Sequence, residues 1–315
     1  MNTMRAVVVD PQVPGRLALD EVDCPTPLPS EALVRVAAIS LNRGEVRRTT
    51  TADAGWQPGW DLAGVVETGA ADGSGPPSGA RVVGFVRSGA WAERVAVPTH
   101  ALTELPASVS FAQAATLPVA GLTALYALAR GGSLLGRSVL ITGASGGVGH
   151  FACQLARHAG AQVVAHVRRT ALVDFVKEAG AQEVVVGEDL SPADKYGPYD
   201  LIVESVGGST LSIALGLLAP DGVCVLFGTS AGSEVTFNAS RFYSTGGTSL
   251  YGFILFHELE REPASVGLER LVKLVAQGHL RPHIDLEAHW TQVADIAQQL
   301  LERRFVGKAV LHVSD

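Results

Sequence analysis

The chain has 315 residues, a length typical of two domains, and its 47% hydrophobic and 17% charged residues indicate a globular protein. Its formal net charge of -7 argues against a general nucleic-acid surface, because binding phosphates requires clustered positive charge. The cysteines Cys24, Cys153 and Cys224 form no C-x-x-C pair, so neither a disulfide framework nor a structural zinc site is indicated. With an N-terminal apolar run (6–9) too short for a signal peptide, we expect a cytoplasmic protein.

The first hundred residues have the pattern of β-strands separated by clusters of Pro and Gly. The predicted strands are AVVV, LALDEV, EALVRVAAISLN, LAGVVETG, ARVVGFV and WAERVAVP. No long helical period occurs among them. The uncharged stretch from Leu105 to Ala129 has the length of a membrane span, but Pro106 and Pro118 interrupt it. We therefore expect this stretch to be buried in the protein and expect no membrane association.

After about Ala120, strands and helices alternate, which is the pattern of a parallel sheet covered by helices. The predicted strands are SVLIT, AQVVAHV, EVVV, DLIVESV and GVCVLFG, and the predicted helices are GGVGHFACQLARHAG, TALVDFVKEAGA and STLSIALGLLAPDG. This change of pattern places a domain boundary near residue 118. Helical spacing returns over 264–277 and 291–304, before a final strand, GKAVLHV. That strand either ends the second domain or returns to the sheet of the first.

The segment TGASGGVG, at 142–149, lies between a predicted strand and a predicted helix. Ala144, Gly146 and Gly149 form A-x-G-x-x-G, a near match to the dinucleotide-binding fingerprint. In that motif a tight turn brings the backbone close to a pyrophosphate, and the N–H groups of a helix N-terminus face the anion. The residues we expect to contact the nucleotide here are Ser145, Gly146, Gly147 and Val148.

The same segment also contains G-x-S-x-G, the nucleophile elbow of α/β-hydrolases, with Ser145 at its centre. A hydrolase would require an acid and then a histidine downstream, and Asp200 followed by His257, His279 or His283 has that order. Gly149, which the elbow does not require, favours the dinucleotide interpretation.

The second strand of the predicted parallel sheet ends in Val167, Arg168 and Arg169. Proteins that bind NAD usually carry an acid here, which hydrogen-bonds the ribose hydroxyls, whereas arginines favour a 2′-phosphate. The sequence therefore predicts NADPH as the cofactor. The alternative is that both arginines are simply solvated.

Motifs along nearly the whole chain match one family in order. They are ISLNRGE, GWDLAGVVETG, GARVVGFV, GAWAERVAVP, LPVAGLTALYAL, TGASGGVG, DLIVESVGG, VLFGTSAG and VGKAVL. The chain resembles the medium-chain dehydrogenase/reductase superfamily, in particular its zinc-free quinone oxidoreductase-like branch and the related enoyl reductase domains. The resemblance implies an α/β fold with a GroES-like β-rich catalytic domain over 1–117, completed by 257–315. A Rossmann-type doubly wound parallel sheet that binds NADPH would occupy 118–256, and edge strands near 249–256 would form a homodimer.

The resemblance also implies how the chain differs from zinc-dependent relatives. Where those relatives carry zinc ligands, this chain has Asn42 or Arg43, then Trp60, then small uncharged residues, so no metal site is expected. The implied activity is hydride transfer from NADPH to a quinone, or to an activated C=C of an enone or enoyl thioester. The alternative of a non-catalytic NADPH-binding protein stays open.

By similarity, two sets of residues border the cofactor. Asn42, Thr123 and Tyr126 would line the nicotinamide side, and Gly207, Phe227, Gly228, Thr229 and Phe253 would border it from the Rossmann domain. Tyr126 is the first candidate for the proton donor, and the alternative is a packed helical tyrosine. Arg43 or Arg47 could bind an anionic group of the substrate or polarise its carbonyl, or both could be solvated. Segments 43–58 and 240–260 are expected to be loops that determine specificity.

Overall fold

The computed structural model describes residues 3–313 and divides the chain into two compact units. The first unit is Met1–Leu122 with Arg261–Asp315, and the second is Thr123–Glu260. The predicted boundaries, 117/118 and 256/257, lie a few residues before those of the structure.

The strands and helices are defined as follows. The strands are β1 (Thr3–Val9), β2 (Leu17–Asp23), β3 (Glu31–Ser40), β4 (Asp61–Thr68), β5 (Arg81–Phe85), β6 (Arg94–Pro98), β7 (Leu102–Glu104), β8 (Ser138–Ile141), β9 (Gln162–Val167), β10 (Glu183–Val186), β11 (Tyr199–Glu204), β12 (Leu218–Leu226), β13 (Ser249–Gly252), β14 (Ile284–His289) and β15 (Lys308–His312). The helices are α1 (Arg43–Thr49), α2 (Phe111–Ala115), α3 (Leu122–Ala129), α4 (Gly147–His158), α5 (Val173–Glu178), α6 (Gly208–Leu215), α7 (Ala239–Ser244), α8 (Leu255–Glu258), α9 (Ala264–Ala276) and α10 (Val293–Leu301).

The first unit is built on a mostly antiparallel sheet with the order β14-β15-β3-β4-β5-β7, in which β6 also pairs with β3. Strands β1 and β2 form a separate antiparallel pair. The final strand, β15, pairs with β3, with Val310 opposite Ser40. It therefore returns to the sheet of the first unit. Four of its five residues are buried, as suits a strand with a neighbour on each side.

The second unit contains a six-stranded parallel sheet with the order β10-β9-β8-β11-β12-β13. Counted from β8, this is the 3-2-1-4-5-6 order of the Rossmann fold. Its strands are continuous apolar runs, because both faces of a parallel sheet are covered. In β8, for example, Val139, Leu140 and Ile141 have no exposed surface.

The two loop expectations are wrong. Segment 43–58 begins with helix α1, and segment 240–260 contains the end of α7, strand β13 and helix α8. The sequence of α1, RGEVRRT, has no apolar periodicity that would predict a helix. Its start is fixed locally, because the Glu45 carboxylate accepts the backbone N–H of Asn42 at 2.7 Å.

The uncharged stretch from Leu105 to Ala129 contains α2, a π-helical turn over Leu117–Gly121 and the whole of α3. Most of these residues are buried, as expected. Within residues 3–313, no helix is both long enough and apolar enough to cross a bilayer.

Candidate functional site

The glycine turn joins the end of β8 to the start of α4. Gly143 has a φ of +58°, a conformation that favours glycine. The N–H of Ala144 donates to the carbonyl of His166 at 3.2 Å, and the N–H of Gly146 donates to the carbonyl of Gly143 at 3.0 Å. The turn is thus closed on itself and attached to the neighbouring strand β9.

Gly149 sets how closely α4 approaches this turn. A Cβ at this position would lie 2.5 Å from the Gly143 carbonyl oxygen and 2.6 Å from the Ala144 Cα, so no larger residue fits without a backbone shift. The first N–H groups of a helix have no partner within it, and they carry partial positive charge. The turn and the first residues of α4 therefore have the features of a pyrophosphate site.

The other residues predicted to border the cofactor follow the carboxyl ends of neighbouring strands. Arg168 and Arg169 follow β9, Gly207 follows β11, Phe227, Gly228 and Thr229 follow β12, and Phe253 follows β13. The register aligns these ends, with Val203 opposite Ile141, and with Leu226 opposite both Glu204 and Gly252. This edge of a parallel sheet is where α/β folds bind ligands. Thr123 and Tyr126 lie instead on α3, where both are buried.

The end of β9 has no acid to bind a ribose. Val167 is buried, whereas Arg168 and Arg169 are both exposed. An exposed arginine pair can form paired hydrogen bonds with a phosphate monoester.

Glu204, at the end of β11, was not singled out by sequence reasoning. Its carboxylate is fully buried and accepts three hydrogen bonds, from the Thr142 hydroxyl at 3.0 Å and from the N–H groups of Val206 at 2.8 Å and Gly207 at 3.0 Å. Burial raises the pKa of Glu204, while these hydrogen bonds act in the opposite direction. Glu204 thereby joins the glycine turn to the segment after β11. The only sequence signal was a charged residue ending an apolar strand.

The segments after β11 and β12 are also joined to each other. The Ser230 N–H donates to the Ser205 carbonyl at 3.2 Å, and the Ala231 N–H donates to the Val206 carbonyl at 2.7 Å. A Cβ on Gly207 would lie 2.2 Å from the Gly232 carbonyl oxygen, so this close approach requires glycine. The predicted cofactor residues at this edge are held by backbone contacts.

The hydrolase alternative is wrong in its choice of Asp200 as the catalytic acid. Asp200 lies at the start of β11, where its carboxylate accepts the N–H of Ser138 at 2.8 Å and pairs with Arg137. Ser138 begins β8, whereas Ser145 follows the carboxyl end of that strand. Asp200 and Ser145 are therefore at opposite edges of the sheet, and Asp200 cannot orient a histidine beside Ser145.

In the first unit, Asn42 is held by a network of buried side chains. Its amide nitrogen donates to Glu45 at 3.0 Å and to Asp61 at 2.7 Å, and its amide oxygen accepts from the Lys308 ammonium at 2.6 Å. Both polar atoms of the side chain are therefore engaged within the protein.

Glu45, Asp61 and Lys308 form what we call the buried charge cluster. Each is at most 4% exposed, and the Lys308 Nζ lies 3.5 Å from an Asp61 oxygen. Asp61 also accepts the hydroxyl of Ser40 at 2.8 Å and the N–H of Val119 at 2.9 Å. Fully ionised, the cluster carries two negative charges and one positive charge.

This imbalance changes the proton affinity of the cluster. The pKa of Glu45 is raised well above 4.5, first by burial and then by the charge of Asp61. Burial lowers the pKa of Lys308, against the attraction of the two carboxylates. Sequence reasoning missed all three residues, although Asp61 and Lys308 interrupt the apolar motifs GWDLAG and VGKAVL.

The remaining predicted residues of the first unit lie on or near α1. The guanidinium of Arg43 donates to the Leu300 carbonyl at 3.1 Å, and Arg47 is exposed. The Trp60 indole N–H donates to the Arg87 carbonyl at 3.1 Å, and its ring lies against Gly44. Within residues 3–313, no three His, Cys, Asp or Glu side chains are grouped so that they could hold a metal ion.

Two family models match the chain. The model described as "Zinc-binding dehydrogenase" matches residues 147–270, and the model described as "Alcohol dehydrogenase GroES-like domain" matches residues 28–107. The two matches fall mainly in the second and first units, respectively.

Relatives extend the match over nearly the whole chain. The human synaptic vesicle membrane protein VAT-1 homolog is 31% identical, over 91% of this chain and 80% of that protein. The chloroplast envelope quinone oxidoreductase homolog of Arabidopsis thaliana is 30% identical, over 94% of each chain. A mycobacterial structure in complex with NADPH superposes with a TM-score of 0.88 at 25% identity, over 98% of this chain and 99% of that one. The chain belongs to the medium-chain dehydrogenase/reductase superfamily, in its quinone oxidoreductase-like branch.

Proposed function

We propose that this oxidoreductase is a zinc-free enzyme that uses NADPH to reduce a quinone or the activated C=C bond of an enone or enoyl thioester. The observation that carries the proposal is the carboxyl edge of the second unit's sheet. There a glycine turn suited to a pyrophosphate and an exposed arginine pair, Arg168 and Arg169, follow adjacent strands. The relatives described above support the reaction class.

We assign each part of the nucleotide to residues of this edge. The N–H groups of Gly146, Gly147 and Val148 would bind the pyrophosphate, and Ser145 would add a hydroxyl. The arginine pair would bind the 2′-phosphate. Bound NADPH supplies the hydride. A quinone is itself a conjugated enedione, so one hydride-transfer site suits both substrate types.

Other residues are the candidates for the second half of the reaction. When hydride adds to carbon, negative charge develops on a carbonyl oxygen, which needs a hydrogen-bond or proton donor. Tyr126 on α3 remains our candidate for proton delivery, and Arg43 and Arg47 for binding an anionic group. Because the buried charge cluster engages its amide, we propose that Asn42 orients the start of α1 and does not donate to the substrate.

We propose an enzyme without zinc because the residue types at the positions of the zinc ligands do not suit a metal. At the positions that the resemblance assigns to zinc ligands, Asn42 is committed to its network and Trp60 has no lone pair to offer a metal. We therefore propose that the carbonyl is activated by hydrogen bonds.

The cofactor assignment is tested by binding. We expect Arg168→Ala with Arg169→Ala to weaken NADPH at least about tenfold and to leave NADH nearly unchanged, because only NADPH carries the 2′-phosphate. Nicotinamide fluorescence titrations measure both affinities. Arg157→Ala, an exposed arginine at the end of α4, is the control for general charge. Equal losses for the two nucleotides would contradict the assignment.

Turnover is tested with a panel of quinones, enones and enoyl thioesters, following NADPH absorbance. Oxidation that depends on the added substrate supports the proposed enzyme. Tight NADPH binding without oxidation across the panel would instead indicate a non-catalytic NADPH-binding protein.

We also propose a homodimer formed through β13. This strand lies at the end of the parallel sheet. Exposed apolar side chains occur on it and in the neighbouring sequence, namely Leu250 at 42%, Ile254 at 60% and Tyr243 at 72%. Exposed strand edges with apolar side chains tend to pair with another chain. Light scattering should give twice the chain mass, and the Leu250→Lys variant should shift towards the monomer. A monomeric wild-type protein would refute the proposal.

We propose a cytoplasmic location, since the described cysteines are all free thiols. Cys153 and Cys224 are buried, and burial raises the pKa of Cys153 to about 12, so that thiol is unreactive. Thiols in this form suit a reducing compartment.

A further inference from the structure

The first unit contains a cavity whose lining is strongly basic. Its volume is about 360 Å³, and it is separate from the buried charge cluster, because the arginine that β3 contributes lies five residues before Ser40 on that strand. The lining residues are Arg5, Arg35, Val36, Glu93, Arg94, His289 and Val313. We call this the arginine pocket.

The pocket has a charge opposite to that of the molecule. Three guanidinium groups and one carboxylate line it, an excess of two positive charges with His289 neutral, in a chain of net charge -7. Such a local excess concentrates anions from solution.

The single carboxylate of the lining, that of Glu93, already has a partner. Glu93 accepts the backbone N–H of Arg5 at 2.9 Å and its Nε at 2.8 Å, so both oxygens are engaged by one residue. Arg94 is paired outside the lining, through its Nε, with Glu67 at 2.9 Å. Neither carboxylate contacts Arg35.

Arg35 and Arg94 are directly opposite each other in the antiparallel pair of β3 and β6. Opposite residues in such a pair have Cβ atoms about 4.5–5.5 Å apart, and like charges there are destabilising. Arg35 is exposed, and among the residues that the structure describes its side chain makes no hydrogen bond or ion pair. The sheet thus places the unpaired guanidinium of Arg35 opposite Arg94, whose own partner is Glu67.

We propose that the arginine pocket binds a dianionic oxyanion of the phosphate class, held between Arg35 and Arg94. Guanidinium groups match the oxygens of phosphate with paired, charge-assisted hydrogen bonds, and a phosphate group supplies the anionic partner that Arg35 lacks. The cavity also has room beyond a phosphate group, and Val36 and Val313 complete its lining. The ligand is either inorganic phosphate or a small phosphate monoester. The proposal stands on the first unit alone and does not depend on the proposed function.

The test is calorimetric titration with inorganic phosphate at constant ionic strength. Arg35→Gln should weaken phosphate binding at least about tenfold, since it removes a charge-assisted contact. Arg157→Gln, an exposed arginine elsewhere, should have no effect. The double variant Arg168→Gln with Arg169→Gln should also retain this binding, which separates the pocket from the proposed nucleotide site.

A parallel titration with glycerol phosphate identifies the source of the phosphate group. Equal affinity for the two probes assigns the site to the phosphate group alone, and tighter binding of the ester shows that the organic part also contacts the pocket. Either result supports the proposal.

Thermal unfolding gives an independent measurement. Arg35 is exposed, so Arg35→Gln should fold normally, and without phosphate it should be at least as stable as the wild type because a like-charge contact is removed. Phosphate should raise the Tm of the wild type but not that of the variant, by preferential binding to the folded state. Equal phosphate affinity in wild type and Arg35→Gln, loss only in the Arg168 and Arg169 variant, or no saturable binding would each overturn the proposal.

Discussion

Glu45 shows how one buried carboxyl group makes stability depend on pH. Because the pKa of Glu45 in the folded protein is raised well above 4.5, the folded state holds a proton that the unfolded state releases. The stability contributed by this proton is present below pH 4.5 and is lost as the pH rises towards the raised pKa. We expect a falling free energy of unfolding over that window.

In the Glu45→Gln variant, the part of the pH-dependent fall in unfolding free energy that Glu45 causes should be absent. Glutamine keeps the oxygen that accepts the Asn42 N–H but cannot ionise, so the stability of the variant relative to the wild type should increase from pH 4.5 towards neutral pH. Denaturant unfolding at several pH values measures the difference. Glu269→Gln, an exposed glutamate on α9, should give a curve parallel to that of the wild type. Parallel curves for Glu45→Gln would show that Glu45 is ionised throughout.

At the scale of elements, the buried charge cluster and its hydrogen-bond partner Ser40 connect three strands and a helix. Lys308 begins β15, Asp61 begins β4, and Glu45 lies in the first turn of α1, while Ser40 ends β3. No repeat or spacing relates these residues, since Lys308 is 247 positions from Asp61 in the sequence. Their shared position exists only because β15 pairs with β3.

The Lys308→Met variant should be strongly destabilised. Removing one partner of a buried ion pair leaves an uncompensated charge, which costs about 3–5 kcal/mol of unfolding free energy. Adding Asp61→Asn should recover part of this loss, because it removes the unpaired carboxylate. Denaturant unfolding followed by circular dichroism measures both, with the exposed Lys273→Met as control. A loss in Lys308→Met no larger than in the control would contradict the ion-pair account.

The elements predicted correctly are those with a strong local signal. The parallel strands are apolar runs between glycine-rich turns, and α9 and α10 follow from their apolar spacing. Helix α1 was missed because seven residues with one buried apolar side chain, Val46, show no period. It is stabilised by its cap and by tertiary contacts, which local propensity does not reveal.

At the scale of the whole molecule, the two units differ in the number of chain segments that form them. The second unit is one continuous segment, whereas the first needs residues from both ends of the chain. Without its C-terminal segment, the first unit would lose β15, which pairs with β3 in the sheet. It would also lose α9 and α10.

Fragments taken from the two units should therefore differ in whether they fold cooperatively. We expect residues 123–260 expressed alone to unfold cooperatively and to bind NADPH, because the sheet and the glycine turn are complete within them. Residues 1–122 alone should lack a cooperative transition. Thermal unfolding followed by circular dichroism, with NADPH fluorescence for the longer fragment, measures both. A cooperatively folded 1–122 fragment would show that β15 is dispensable.

The sequence by itself determined the Rossmann-type unit, the glycine turn and the arginine pair after β9, because each depends on residues adjacent in the chain or on a short period. The tertiary structure alone decided that β15 pairs with β3, that Glu45, Asp61 and Lys308 share one buried site, and that Arg35 faces Arg94. Those arrangements depend on strand pairings between distant segments. The physical reason is that burial and charge proximity are properties of the folded chain, which no local pattern of residues carries.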